Sequence, residues 1–275
     1  MKAIFMGRKP AASAALRFLV ERGVQVVAVV APLDAGRSGE MLFWHPQLCR
    51  TAQELGLTVV SDQDLYAALA DDRHRLRTVT DLDDVDLVLS FLFWKKIRRP
   101  LIDLPKIGCF NFHPAPLPAF RGRRGYNSAI LEGHREYGTS VHWVADDFDT
   151  GDLVEVRHFP IEEDETAFSL EQKTMPVLLA MFEAFVTGVM SGAVIPRTTQ
   201  GPGQSATKRQ VLEDARVQPS DNAETISRKV RAFWYPPYQG ATVTLGGKDY
   251  SLVSEEILSE LGKVLHGQHN PLDEA

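Results

Sequence analysis

The chain has 275 residues, 44% hydrophobic and 24% charged, the balance of an ordinary globular protein, which sets aside disordered and fibrous classes. Its formal net charge of -6 argues against a nucleic-acid partner, since neutralising phosphates takes a basic face. Two cysteines, Cys49 and Cys109, are too few for a disulfide framework and form no CxxC, so neither a redox pair nor a metal site is expected.

The opening MKAIFMGRKP carries an apolar run far short of the ~20 residues of a membrane span and lacks a small-residue cleavage site. It reads as a first strand, and the protein as cytoplasmic with no membrane partner. AASAALRFLVERG then reads as a helix ending at Gly23, and VQVVAVVAP as a strand buried on both faces. After a long loop come a helix in HPQLCRTAQELG, a short strand in LTVVS, and a helix in DQDLYAALADD with Asp62 as its N-cap. DLVLSFLFW and IGCFNFH are two further buried strands. This alternation predicts an α/β fold, a doubly wound and mostly parallel sheet.

From Gly138 the period changes to two. GTSVHWVADDFDTGDLVEVRHFPI predicts two strands joined by an acidic turn, and ETAFSLEQKTMPVLLAMFEAFVTGVMSG a long helix with Pro176 as a boundary or kink. Residues 198–206, TTQGPGQSA, read as a linker. Beyond it AETISRKVRAFW predicts a helix and ATVTLGGKDYSLVSEEIL a hairpin turning at Gly246 and Gly247. The expected domains are 1–197 and a small β-rich unit at 206–275, whose unpaired hairpin edge suits a homodimer.

One stretch departs from this regular alternation: NFHPAPLPAFRGRRGYN, residues 111–127. Residues i and i+2 of a strand share a face, so Asn111 and His113 project together while Phe112 points away. Pro114 ends the strand. Ligands of doubly wound sheets bind outside the carboxyl ends of strands, which is where this amide and imidazole fall. A histidine that moves protons needs a carboxylate to orient it, and DDFDTGD offers Asp146, Asp147, Asp149 and Asp152. Spacing does not choose among the four.

FNFHPAPLPAFRG followed by YGTSVHWVADDFDTGDLV resembles the 10-formyltetrahydrofolate-dependent formyltransferases, the methionyl-tRNA, glycinamide ribonucleotide and sugar-amine enzymes. The shared pattern is Asn-x-His-Pro, a loop ending in Arg-Gly, then Asp-x-Gly within a strand-turn-strand, and the resemblance covers most of residues 1–195. It implies a Rossmann-like formyltransferase fold and a catalytic set of Asn111, His113 and Asp149: an oxyanion donor, a general base, and the group that orients the base. It also implies 10-formyltetrahydrofolate as formyl donor, lodged against Phe91, Leu92, Phe93, Val144, Ala145, Asp146 and Asp147.

For the acceptor, RAFWYPPYQGA and RGRRGYNSAIL resemble segments of the sugar-amine enzymes, which implies a nucleotide-linked amino sugar. Arg121, Arg123 and Arg124 suit a diphosphate. Arg8 and Lys9 open the first helix, whose N-terminus also favours anions. Tyr126 and Asn127 are placed at the sugar, and Trp44 or Trp143 as a wall. The loop LDAGRSGEMLFWHPQ is where acceptor-specific differences are expected. GRKPAAS is not GxGxxG, which counts against a dinucleotide-dependent dehydrogenase. The alternatives are a methionyl-tRNA enzyme, a formyltransferase of a non-sugar amine, and a folate or nucleotide binder without turnover. His142, in a period-two run without a helper motif, reads as a core or substrate-wall residue, and His134 as a solvated or capping one.

Overall fold

The computed structural model describes residues 1–32, 47–70, 82–122, 124–205, 210, 213–236, 238 and 240–265. The 33–47 loop, apart from Gln47, lies outside them, as do its Trp44 and also Arg123.

The chain divides into two units. The first comprises 1–125, 136–160 and 171–205. Its strands are β1 Lys2–Gly7, β2 Gln25–Val30, β3 Val59–Val60, β4 Leu87–Phe91, β5 Gly108–His113, β7 Glu136–Trp143 and β8 Leu153–Pro160, in sheet order β3-β2-β1-β4-β5-β7-β8. Neighbours from β3 to β5 are parallel, whereas β7 runs antiparallel to both β5 and β8. The chain steps outward through β1, β2 and β3 and then returns to place β4 on the other side of β1. The carboxyl ends beside that reversal are where a doubly wound sheet opens a crevice for a ligand.

Helix α1, Lys9–Glu21, buries Ala12, Ala15, Leu16 and Leu19, one stripe of a 3.6-residue period. Helices α2, Gln47–Glu54, and α3, Asp62–Ala70, follow. The cap of α3 is Ser61 rather than the expected Asp62: its Oγ accepts from the Asp64 amide at 3.0 Å, while Asp62 pairs with Lys95 at 2.6 Å. Helix α4 is Gly125–Leu131.

Strand parity divides the core. Phe5, Leu89, Phe91, Phe110, Phe112 and Val141 enter one cluster, and Ile4, Met6, Val88 and Cys109 the other. Helix α5, Ala167–Met190, has the length and apolarity of a membrane span, yet Leu178, Met181, Phe182 and Val186 are wholly buried in the first cluster. The Phe182 ring meets Phe5, Phe91 and Phe112 edge-on, with centroids 6.0, 5.5 and 4.8 Å away. The helix runs through Pro176, so the expected boundary is absent there.

Residues 198–205 are not a free linker. Thr198 pairs with Leu153, and β9, Gln204–Ser205, runs parallel to β6, Phe120–Arg121. Polar and glycine-rich composition signals irregular backbone without saying whether that backbone finds partners.

The second unit gathers 126–135, 161–170 and 206–275, so it also takes in two stretches from within the 1–197 span. Helix α6, Ala223–Phe233, starts at Asn222, whose side chain accepts from the Thr225 amide at 2.8 Å. Strands β10, Ala241–Leu245, and β11, Lys248–Leu252, form a hairpin. Its turn residues Gly246 and Gly247 have φ of 57° and 79°, the doubly left-handed turn that matches strand twist. The second strand ends at Leu252, and Glu255–Leu265 is helix α7, so the last residues of the expected hairpin run are helical.

Candidate active site

Sheet register builds the site. Asn111 on β5 lies opposite Ser90 on β4 and His142 on β7, and His113 opposite Ser140. Directly opposed residues share a face, so Ser90, Asn111 and His142 form a polar row across three strands. Phe91, Phe112 and Val141, one position along, form the apolar row on the other face.

The amide of Asn111 is oriented by its neighbours. Ser90 Oγ donates to its Oδ1 at 2.7 Å. Its Nδ2 donates to Asp149 Oδ1 at 3.3 Å and faces His142 Nε2 at 3.0 Å. A carboxylate only accepts, so the NH2 must be on that side.

The two imidazoles are fixed by main-chain carbonyls. His142 Nδ1 lies 2.7 Å from the Trp143 carbonyl and must carry the proton, leaving Nε2 to accept from Asn111. His113 Nε2 lies 3.0 Å from the Phe120 carbonyl, which likewise places its proton there. The basic atom of neutral His113 is therefore Nδ1, 3.6 Å from Asp149 Oδ1.

Asp149 comes from the turn between β7 and β8. Of the four acids in DDFDTGD, it is the one whose carboxylate reaches His113, His142 and Asn111. Its Oδ2 accepts from the Gly122 amide at 2.9 Å. Its backbone is left-handed, φ 54°, sparsely populated by residues other than glycine. Gly151 makes the turn possible: a Cβ there would lie 1.8 Å from the Trp143 carbonyl oxygen.

Burial is the largest influence on His113 and lowers its pKa; the Asp149 charge opposes that and the His142 charge adds to it. Burial pushes Asp149 upward, but the Gly122 amide and the charge that either imidazole carries when protonated hold it well below the usual carboxylate range. A neutral base thus faces a permanent anion.

The other candidates are placed less uniformly. Phe91 is wholly buried, stacked on Phe112, so only its backbone faces the strand end. Leu92 turns left-handed there, φ 60°, and Phe93 and Val144 are half-buried against the second cluster. Ala145 is half-buried; Asp146 and Asp147 are exposed and paired with Arg99 at 3.1 Å and Lys96 at 3.3 Å.

Lys9 Nζ is 2.6 Å from the buried Glu171 carboxylate. Arg8 lies over the Trp94 ring, its Cζ 5.8 Å from the centroid. Arg121 donates to Gln200 and to the Gly201 carbonyl, and Arg124 is buried. Tyr126 and Asn127 belong to the second unit, where Asn127 Nδ2 donates to the Ala232 carbonyl at 2.6 Å. The Trp143 ring is capped by Arg197, 3.8 Å from its centroid.

Sequence reasoning did not single out Ser90, read His142 as a core or substrate-wall residue, and did not single out Gln200. The first two are the polar residues of apolar runs on strands flanking Asn111, a signal that needs the strand register to be read.

A doubly wound sheet with an antiparallel β7 at its far side is the fold of a formyltransferase, and in this chain an amide, an imidazole and a carboxylate meet at the end of its β5. The chain belongs to that family, and the formyl transferase domain matches residues 44–179. Among curated proteins it is similar to the methionyl-tRNA formyltransferase of Halorhodospira halophila, 29% identical over 88% of this chain and 76% of that one. Among solved structures it is similar to a 4-N formyltransferase from Francisella tularensis, TM-score 0.73 and 14% identity over 92% of this chain and 97% of that one. It is also similar to an N-formyltransferase from Helicobacter canadensis in complex with folinic acid and dTDP-3-aminofucose, TM-score 0.68 and 18% identity over 90% and 85% of the two chains. At such identities the structural likeness is one of fold.

Proposed function

We propose that this protein transfers the formyl group of 10-formyltetrahydrofolate to the primary amine of a nucleotide-linked amino sugar. The single observation that carries the chemistry is the convergence of Asn111, His113 and Asp149, with a neutral imidazole and an anionic carboxylate. The folate supplies an electrophilic formyl carbon, and the strand ends at 91–93 and 144–147 would hold it. Asn111 Nδ2 presents hydrogens where negative charge develops on the formyl oxygen. Its 3.3 Å contact with Asp149 is the longer of its two, and is the one released for that task. His113 Nδ1 takes the proton from the attacking nitrogen, Asp149 stabilises the imidazolium, and that proton would pass to the folate nitrogen that leaves as its bond to the formyl carbon breaks.

The sugar acceptor is supported by the likeness to the Helicobacter enzyme solved with dTDP-3-aminofucose, by the acidic net charge, and by a second unit that carries a two-stranded sheet among its described residues. Two free cysteines fit a cytoplasmic location, and the exposed Leu245 and Tyr250 of the hairpin fit a homodimer. A second reading, charged initiator tRNA as acceptor, is favoured by the Halorhodospira relative.

The test is mass spectrometry after incubation with 10-formyltetrahydrofolate and a panel of nucleotide-linked 3-amino and 4-amino sugars, simple amines and methionyl-tRNA. A single formyl gain on a nucleotide sugar is expected; gain on the tRNA alone establishes the second reading. Asn111→Ala and His113→Ala should each lower turnover ~100-fold or more.

A further inference from the structure

Gln200 lies in the stretch that composition presents as a linker. Its side-chain amide has two hydrogens to donate and two lone pairs to accept with, and all four are used. Nε2 donates to the carbonyl of Asp149 at 3.0 Å and to that of Gly151 at 2.5 Å. Oε1 accepts from Arg121 Nε at 3.3 Å and Nη2 at 3.0 Å. Carbonyls only accept and a guanidinium only donates, so rotating the amide would break every contact. No other amide orientation fits.

The two ends of this link are the two loops that make the site. One is the turn with Asp149, whose left-handed backbone persists only if its surroundings hold it. The other is 120–122, where the Phe120 carbonyl fixes His113 and the Gly122 amide fixes Asp149. The segment is seated closely: a Cβ on Gly203 would lie 2.4 Å from the Pro118 carbonyl oxygen and 2.7 Å from Arg121 Nε.

We propose that Gln200 is a positioning residue for formyl transfer, holding the Asp149 carboxylate against His113 and Asn111 by locking its turn to the 120–122 loop. This rests on the roles proposed above for those three residues. Gln200 acts through Asp149 and is assigned no contact with either reactant.

Two substitutions separate the halves of the link. Gln200→Met keeps the length and removes all four hydrogen bonds; Gln200→Glu keeps oxygens for Arg121 but turns a carboxylate on two carbonyls. Both should lower kcat about tenfold or more, with KM for the amine within about twofold of the parent. In an Asp149→Asn background, Gln200→Met should cost nothing further, because the group it positions is gone.

A readout without substrate comes from NMR titration of His113. The titratable groups facing it are Asp149, whose charge raises its pKa, and His142, whose charge lowers it. Loosening Asp149 should move the His113 midpoint to lower pH in Gln200→Met. An unmoved midpoint, an undiminished kcat in the folded variant, or an equal cost with and without Asp149 would each overturn the assignment. If the parent transfers formyl to no acceptor, the proposed function fails, and the titration still decides the role of Gln200. Should Gln200→Met not fold, Gln200→Glu is judged by kcat and by the comparison with and without Asp149, since its own charge also bears on the His113 midpoint.

Discussion

Asp149 faces two imidazoles, and at each of them a main-chain carbonyl decides which nitrogen is basic. For His113 that atom is Nδ1, turned to the carboxylate; for His142 it is Nε2, turned to Asn111. The pH dependence follows from the direction of the His113 shift. Burial disfavours its charged form, so the acid limb of kcat/KM should fall below the ~6.5 of a free histidine. The fold also binds that proton more weakly than the unfolded chain does. The stability it contributes is therefore intact above ~6.5 and lost as pH falls through the folded value. Asp149→Asn removes the charge that opposes burial, and should move the limb further to acid. A pH–rate profile of parent and variant checks both; a limb at or above ~6.5 in the parent contradicts the buried base.

Among the elements, the turn from β7 to β8 carries the greatest local demand. The Trp143 amide donates to the Asp152 carbonyl at 2.9 Å, and Gly151 passes under the Trp143 carbonyl with no room for a side chain. Gly151→Ala should cost ~3 kcal/mol, since the clash is with backbone and cannot be relieved by a rotamer change. It should also lower turnover, because the turn carries Asp149. Thermal unfolding with a parallel formyl-transfer assay checks the pair of effects; loss of stability with activity intact would uncouple the turn from the site.

Across the first unit, one aromatic ring joins a helix to three strands. Phe182 from α5 meets Phe5, Phe91 and Phe112 on β1, β4 and β5, whose carboxyl ends border the site. Phe182→Ala leaves a cavity at that junction and should destabilise the unit by ~3–5 kcal/mol. Denaturant unfolding followed by tryptophan fluorescence checks the value. A loss under ~1 kcal/mol would mean that the site tolerates collapse around the missing ring.

The sequence alone determined the order and kind of the elements from β1 to β5, because strand and helix periods are local and the doubly wound pattern repeats them. It also determined that Asn111 and His113 share a face, which follows from a period of two within one strand. The pairing of Ser90 and His142 with Asn111, the choice of Asp149 from four acids, and the part of 198–205 in the site were decided only by the tertiary structure. Each depends on strand register or loop closure, where residues as far as 79 positions apart, as with Gln200 and Arg121, are brought within hydrogen-bond distance. Local composition carries no record of such a distance. The hydroxyl, imidazole and amide of Ser90, His142 and Gln200 look alike in a core, on a surface or in a site until the partners they face are known.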